Sequence, residues 1–475
     1  MSSDVVVRFA PSPTGKIHIG NIRTAIFNYL YARHTGGKML LRIEDTDRER
    51  STPEAEALLF DALAWLGIEY DDFGTDRFMR QSTRRDRHLA VVDEWLAKGI
   101  AYRSDRATGA YGGGATSSGE AVWLKTTPED LSYDDAILGT QTQPAKQLQD
   151  FVIVRSSGEP MFILANVIDD HDMGVTHVLR GSDHKTNTFR QLLLYRALGA
   201  SPPRFGHMPL IVDKQGKKLS KRENDPASII YLREFRERGY LPEALFNFLA
   251  LLGWSPRPQA GPDGEEIFRE KMSRDDLAAE FDLDRVTNSP AQFDMVKLGA
   301  MNYDYIVDRL AADPTSLIAH LKQDVAAEGL DPERFDEAQY QVLIREAAQR
   351  AHTLKELIEK SRFFFVDRVE VDPAPKAVRK AFKKAEVWDR LAAARTRLES
   401  IPEDDWKRER IESELKALAD EIASGKMGDI AQPVRILATG GPASPAIDVT
   451  LELVGRERTL ARLADDANRQ RLQQQ

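Results

Sequence analysis

Two hydrophobic periods take turns along the first hundred residues of this chain. Residues 5–9 (Val-Val-Val-Arg-Phe) form a short β-branched and aromatic run that reads as a strand. Over 21–33, Ile22, Ala25, Ile26, Tyr29 and Leu30 recur at helical spacing, which predicts a helix. A second strand follows at 39–43. A second helix is expected at 53–66, with Pro53 suited to the first turn after Thr52. This β-α-β-α order predicts a parallel sheet with ligands at the carboxyl ends of its strands. Ser12, Glu44 and Asp45 fall near such ends. From about 98 to 183 the alternation loosens into loops and short strands, as in an insertion. A strand at 177–180, a helix at 188–198 and a strand at 208–212 resume the first pattern. From Pro242 onward the periodicity is mostly helical. Long runs at 336–364 and 376–398 carry Lys and Arg on one face. Such faces are usually solvated, but they also suit an RNA stem and loop.

Composition narrows the class without naming it. A chain of 475 residues with 42% hydrophobic and 30% charged side chains suits a globular protein of several domains. No apolar run reaches the roughly 18 residues that span a bilayer. Met-Ser-Ser-Asp leads straight into the first strand, so no secretory signal is expected and a cytoplasmic location follows. The absence of cysteine excludes disulfides, thiolate nucleophiles and Cys-ligated zinc. A net charge of −9 argues against indiscriminate coating of nucleic acid but leaves room for a local basic surface.

Two loops carry the candidate chemistry. After the first strand, Pro11 and Pro13 withhold backbone donors and end the strand. Gly15 and Gly20 let backbone approach a ligand. His18 then precedes a helix N-terminus, where free N–H groups and the dipole favour a phosphate. Some two hundred residues later, Lys217, Lys218, Ser220, Lys221 and Arg222 place four cations and a hydroxyl on one loop. An isolated basic loop is most simply a solvated charge run. Polyphosphate chemistry, however, needs mobile cations against the charge that develops on phosphorus and its leaving group.

The pair of loops resembles the HIGH and KMSKS motifs of class I aminoacyl-tRNA synthetases. The order of R-F-A-P-S-P-T-G (8–15), L-R-I-E-D-T-D (41–47), D-F-V-I (150–153), D-D-H-D-M-G-V-T-H-V-L-R-G (169–181) and K-K-L-S-K-R (217–222) narrows it further. G-Y-L-P-E-A-L (239–245), L-L-G-W (251–254), S-P-A-Q-F-D (289–294), I-A-Q-P-V-R (430–435) and L-V-G-R-E-R (453–458) continue it. The chain is therefore similar to bacterial glutamyl-tRNA synthetases almost throughout. That resemblance implies an α/β fold: a Rossmann-type parallel-sheet catalytic domain, an inserted acceptor-end domain and an all-α anticodon-binding part. The implied domains are a catalytic fold in two halves (1–97 and 185–240), the insertion at 98–184, a stem-contact helical domain at 241–303 and a helical anticodon-binding domain at 304–475.

The implied reaction joins L-glutamate to ATP as glutamyl-adenylate and passes the glutamyl group to the 3′-terminal adenosine of tRNA(Glu). His18, Gly20, Lys218, Ser220 and Lys221 take the catalytic positions. Ser12, Thr14, Asn21, Asp183, His184, Leu219 and Arg222 join them around ATP. Arg8, Ala10, Ser12, Glu44, Phe162, Asn166 and Arg180 fall on the family's glutamate pocket, with arginines for carboxylate and Glu44 for the ammonium. Magnesium is expected on ATP itself, since it prefers phosphates and water to an all-protein cage. His171, His177, His184, Asp169, Asp170, Asp172 and Asp183 lack the spacing of a metal site and are read as structural or nucleotide-adjacent.

The chain departs from the family in places. Asn21 ends the HIGH motif, Phe162 replaces a pocket tyrosine, and Ser182 replaces the glutamate of R-G-E-D-H. Zinc is not implied near 101–119, where some relatives carry cysteines. Alternatives are an enzyme that also or mainly charges tRNA(Gln), and a non-catalytic tRNA-binding paralogue. A small-molecule nucleotidylyltransferase would not need the helical C-terminal part. A monomer is the family expectation.

Overall fold

The computed structural model describes residues 5–47, 50–105, 120–127, 129–219, 229–348 and 351–473. The chain forms two compact units, Met1–Arg236 with Pro242–Leu298, and Glu237–Leu241 with Gly299–Gln475. In the first unit, strand β1 (Val6–Phe9), helix α1 (Ile19–Thr35), strand β2 (Lys38–Ile43), helix α2 (Pro53–Leu66) and strand β3 (Met79–Arg80) follow in order. The strands pair in parallel as β1-β2-β3, with Val6 opposite Lys38 and Arg42 opposite Met79. Their residues are mostly buried, as expected of a sheet covered on both faces. Thr52 caps α2, Pro53 opens it, and Gly67 closes it at φ 61°, where a side chain would be strained. Helix α1 starts two residues earlier than its periodicity predicts. His18 is its N-cap, and the ring supplies the acceptor that Gly20 N–H needs.

After helix α3 (Arg85–Ala97), strands β4 (Ala101–Ser104), β5 (Ala121–Leu124) and β8 (Phe151–Val154) build an antiparallel sheet. Strands β6 (Leu131–Asp135) and β7 (Gly139–Gln143) form a hairpin between them. Leu124, Phe151 and Ile153 belong to one apolar core with Val91 and Trp95 of α3 and Leu164, Val167 and Ile168 of helix α4 (Phe162–Asp172). Strand β9 (His177–Gly181), helix α5 (Lys185–Leu198) and strand β10 (Arg204–Met208) return to the parallel pattern. A hydrogen bond from Thr176 N–H to the Val6 carbonyl, 2.9 Å, holds the start of β9 against β1. Although it lies within 98–184, β9 thus pairs in parallel with β10.

The strand expected at 208–212 is divided: Met208 ends β10, which pairs with β9, and the short β11 (Ile211–Val212) pairs in parallel with Ala291–Gln292. Pro209 has no N–H and breaks the run, while Arg-Phe-Gly-His-Met at 204–208 looks too polar for an inner strand until its histidine is paired.

The second unit is helical. The run predicted at 336–364 divides into Glu337–Ala348 and Leu354–Phe365, and Thr353 Oγ1 caps the latter by accepting from Glu356 N–H. The run at 376–398 likewise divides into Lys376–Ala381 and Glu386–Glu399. Helices Arg408–Ile422, Met427–Thr439 and Ile447–Val454 complete an apolar core around Leu398, Ile411, Leu415 and Val434. Among the described residues no helix is long and apolar enough to cross a membrane.

Candidate active site

A cavity of about 480 Å³ opens at the carboxyl ends of β1, β2 and β9, beside the N-terminus of α1. The loop after β1 contributes Ala10, Ser12 and Thr14, and α1 contributes Gly20 and Asn21 next to its cap His18. Arg8 and Glu44 come from the ends of β1 and β2, Phe162 and Asn166 from α4, and Arg180, Asp183 and His184 from β9 and its following turn. Lys218 and Leu219 also line it. Ser220, Lys221 and Arg222 lie outside the described residues, as does most of the stretch 101–119.

On the α1 side, His18 Nδ1 accepts from Gly20 N–H at 2.9 Å. The hydrogen of a neutral ring therefore sits on Nε2. Burial lowers the His18 pKa, opposed by its bond with the Leu219 backbone and aided by the Lys218 charge. The imidazole is a neutral donor at the base of the basic loop. A Cβ added at Gly20 would stand 3.1 Å from His18 Nδ1, so the glycine admits this ring-to-backbone cap. Leu219 N–H donates to the Ile211 carbonyl at 2.9 Å, which pins the loop base to β11. Lys218 Nζ reaches Asp183 Oδ2 at 3.3 Å. An anion entering here meets His18, Lys218 and the helix N-terminus together.

The other side is a buried chain of charges and amides. Arg8 Nε donates to Asp170 at 3.2 Å, and Arg42 bridges the same Asp170 and Glu44. Glu44 Oε1 also accepts from Asn166 Nδ2 at 2.9 Å. Asn166 Oδ1 accepts from Gln191 Nε2, and Gln191 Oε1 accepts from Arg180 Nη2 at 2.6 Å. Burial raises the Glu44 carboxyl above its usual range, against the pull of Arg42. Asp170 is lowered: burial opposes this, but Arg42 and Arg8 prevail.

Arg180 differs from the other two arginines. Its hydrogen-bond partners are His207 Nε2, Thr188 Oγ1 and Gln191 Oε1, all neutral acceptors. Burial, with the Arg8 charge adding to it, pulls its pKa down to about 10. A buried guanidinium among the described residues without a carboxylate in contact suits an incoming anion.

Sequence reading missed Arg42, Gln191, Thr188 and His207, which support the cavity from behind. Asp170 holds the arginines rather than a nucleotide. Asp169 accepts from Gln81 and pairs with His88, and Asp172 pairs with Arg87. No group of three or more metal-ligating side chains occurs among the described residues. Of the cavity's two lining carboxylates, Glu44 is engaged by Arg42 and Asp183 by Lys218. Phe162 is 38% exposed and stands near His184, ring centres 6.4 Å apart.

Residues 4–109 and 116–300 match the catalytic domain of class I tRNA synthetases (E and Q), and residues 316–466 match the anticodon binding domain. The chain is 41% identical to Glutamate--tRNA ligase 1 of Xanthobacter autotrophicus, over 98% of this chain and 100% of that protein. It is 39% identical to Glutamate--tRNA ligase 1 of Methylobacterium radiotolerans, over 98% and 99%. A crystal structure of a glutamate tRNA ligase from Elizabethkingia meningosepticum in complex with its amino acid superposes with a TM-score of 0.82. That match has 29% identity and covers 97% of this chain and 99% of the other.

Proposed function

The chain belongs to the class I tRNA synthetases, among the glutamate–tRNA ligases, and we propose how its cavity divides the work. L-glutamate lies along the Arg8–Glu44–Arg180 side, and ATP lies along the His18–Lys218 side. The α-carboxylate of glutamate attacks the α-phosphorus of ATP and pyrophosphate leaves; a hydroxyl of the 3′-terminal ribose of tRNA then attacks the glutamyl carbonyl, and AMP leaves. The substrate supplies the nucleophile, so the protein's part is orientation and charge stabilisation.

One observation carries the assignment of glutamate: Arg180 is a buried cation whose acceptors are all neutral. The side-chain carboxylate of glutamate supplies the missing counterion. Glutamine, with a neutral amide there, leaves that charge uncompensated. Glu44, linked to Arg180 through Asn166 and Gln191, sits at a fixed spacing to receive the ammonium. His18 Nε2–H and Lys218 face the phosphates, with Ser220 and Lys221 joining from the same loop. Gly20 leaves room for the adenine. Magnesium suits this arrangement as a passenger on the triphosphate, since it prefers phosphates and water to an all-protein cage.

The domains at 98–184, 241–303 and 304–475 would grip the acceptor end, the stem and the anticodon of tRNA(Glu). ATP–pyrophosphate exchange with glutamate tests the reading, run without tRNA, with tRNA(Glu) and with tRNA(Gln). Exchange stimulated by tRNA(Glu) alone supports it. Exchange only with tRNA(Gln) moves the specificity, and no exchange under any condition removes the activity. Lys221→Ala should slow this exchange by about two orders of magnitude, as loss of a charge-stabilising donor does. Near-normal exchange by that variant would take the loop out of the chemistry.

A further inference from the structure

Arg180 and His207 are direct neighbours in the register of the parallel strands β9 and β10. Their side chains meet on one face, where Arg180 Nε donates to His207 Nε2 at 3.1 Å. Behind the histidine stands Asp135, at the end of β6, with Oδ2 on His207 Nδ1. Both side chains are fully buried, and neither lines the cavity.

We propose that Asp135 and His207 are positioning residues: the carboxylate fixes the histidine tautomer, and the histidine aims the Arg180 guanidinium at the substrate carboxylate. This rests on the reading of Arg180 given above. A carboxylate accepts only, so His207 Nδ1 carries the hydrogen and Nε2 presents its lone pair. Thr188 Oγ1 lies 3.2 Å from the same Nε2 and accepts from Arg180 Nη2 at 2.8 Å. Arg180 Nε–H needs the lone pair of that nitrogen, only the Nδ1–H tautomer supplies it, and in that tautomer Nε2 also accepts the Thr188 hydroxyl within reach. Burial lowers the His207 pKa, and although the Asp135 bond opposes this, Arg180 adds to the lowering. The ring is neutral, as an acceptor of an arginine N–H must be. With the hydrogen on Nε2 instead, two N–H groups would confront each other and Arg180 would turn away.

Asp135 also explains how the insertion bears on this pocket. Its Oδ1 accepts from three backbone N–H groups: Ile137 at 3.0 Å, Leu138 at 3.0 Å and His207 at 3.1 Å. The hairpin that carries Asp135 is thereby tied to β10.

The same three bonds make Asp135→Asn a directional test. They require an oxygen at Oδ1, so the amide nitrogen takes the Oδ2 place and donates to His207 Nδ1. The ring hydrogen moves to Nε2 with almost no change in shape. The glutamate KM should rise about tenfold or more, the cost of one lost charged hydrogen bond, while the ATP KM stays within about twofold. Nitrogen-15 NMR of the ring should show the tautomer exchanged. An exchanged tautomer with an unchanged glutamate KM would overturn the proposal, and so would an unexchanged tautomer. Should Asp135→Asn fail to fold, His207→Gln and His207→Leu replace it. The glutamine keeps an acceptor beside Arg180 Nε and should hold a lower glutamate KM than the leucine; equal values would count against the idea. Arg180→Lys serves as the control: an unchanged glutamate KM there would fault the reading of Arg180 itself.

Discussion

Arg180→Leu should raise the KM for glutamate by about two orders of magnitude while leaving that for ATP nearly unchanged. Truncating one partner of a buried, hydrogen-bonded charge pair costs about 2–5 kcal/mol, and each 1.4 kcal/mol is about tenfold. The split between substrates follows from where the residue stands. Arg180 bonds Thr188, Gln191 and His207 on the amino-acid side, whereas the proposed phosphate groups hang on His18 and the 211–219 loop. Steady-state exchange kinetics with each substrate varied in turn would measure both constants. Equal loss of both would mean that the leucine had disturbed the fold, because three buried acceptors lose their donor.

Asp170→Asn should destabilise the catalytic unit by about 3–5 kcal/mol, the range for removing one partner of a buried ion pair. Asp170 is shared by Arg8 and Arg42, and all three side chains are nearly or fully buried. Without the carboxylate charge, two buried guanidinium groups face one another across a neutral amide. The sign of the pH dependence follows from the lowered Asp170 pKa. The ionised form is favoured by folding, so this stability is complete above the ordinary aspartate value of about 4. It is lost as pH falls through the lower folded value. Urea denaturation followed by tryptophan fluorescence would show the loss at neutral pH, and a shallower acid limb for the variant. A loss below about 1 kcal/mol would show that solvent or rearrangement replaces the ion pair. The variant should also weaken glutamate binding, since Arg8 takes its orientation from Asp170.

The strand and helix pattern of residues 5–66 was legible because local chemistry decides it, whereas β3 and α3 carried no comparable signal. Thr52-Pro53 starts a helix whatever lies around it, and Pro11 and Pro13 end a strand anywhere. The same holds for His18, whose place before a helix can be read from residues 17–22. The division of 336–364 was not legible, although Thr353 is a capping residue type. Helical spacing continues on both sides of the interruption, and a lone threonine is common inside helices. The placement of β10 was missed because a buried histidine beside a glycine looks like a loop until its partner is known. Asp135, 72 residues away, is that partner.

Sequence alone determined the class of chemistry: a phosphate-binding turn, a cationic loop, arginines and an acidic residue near strand ends, and no cysteine to offer another route. Residue type offers each of these separately, and their order, which the chain carries in one dimension, joins them by its resemblance to a known family. Only the tertiary structure decided which of three arginines stands without a carboxylate in contact. Arg8, Arg42 and Arg180 look alike along the chain. Asp170 pairs with the first two and not the third, because α4 and β9 bring residues from distant segments into one desolvated space. Charge compensation in that space depends on distances of a few ångströms, and no sequence pattern specifies those.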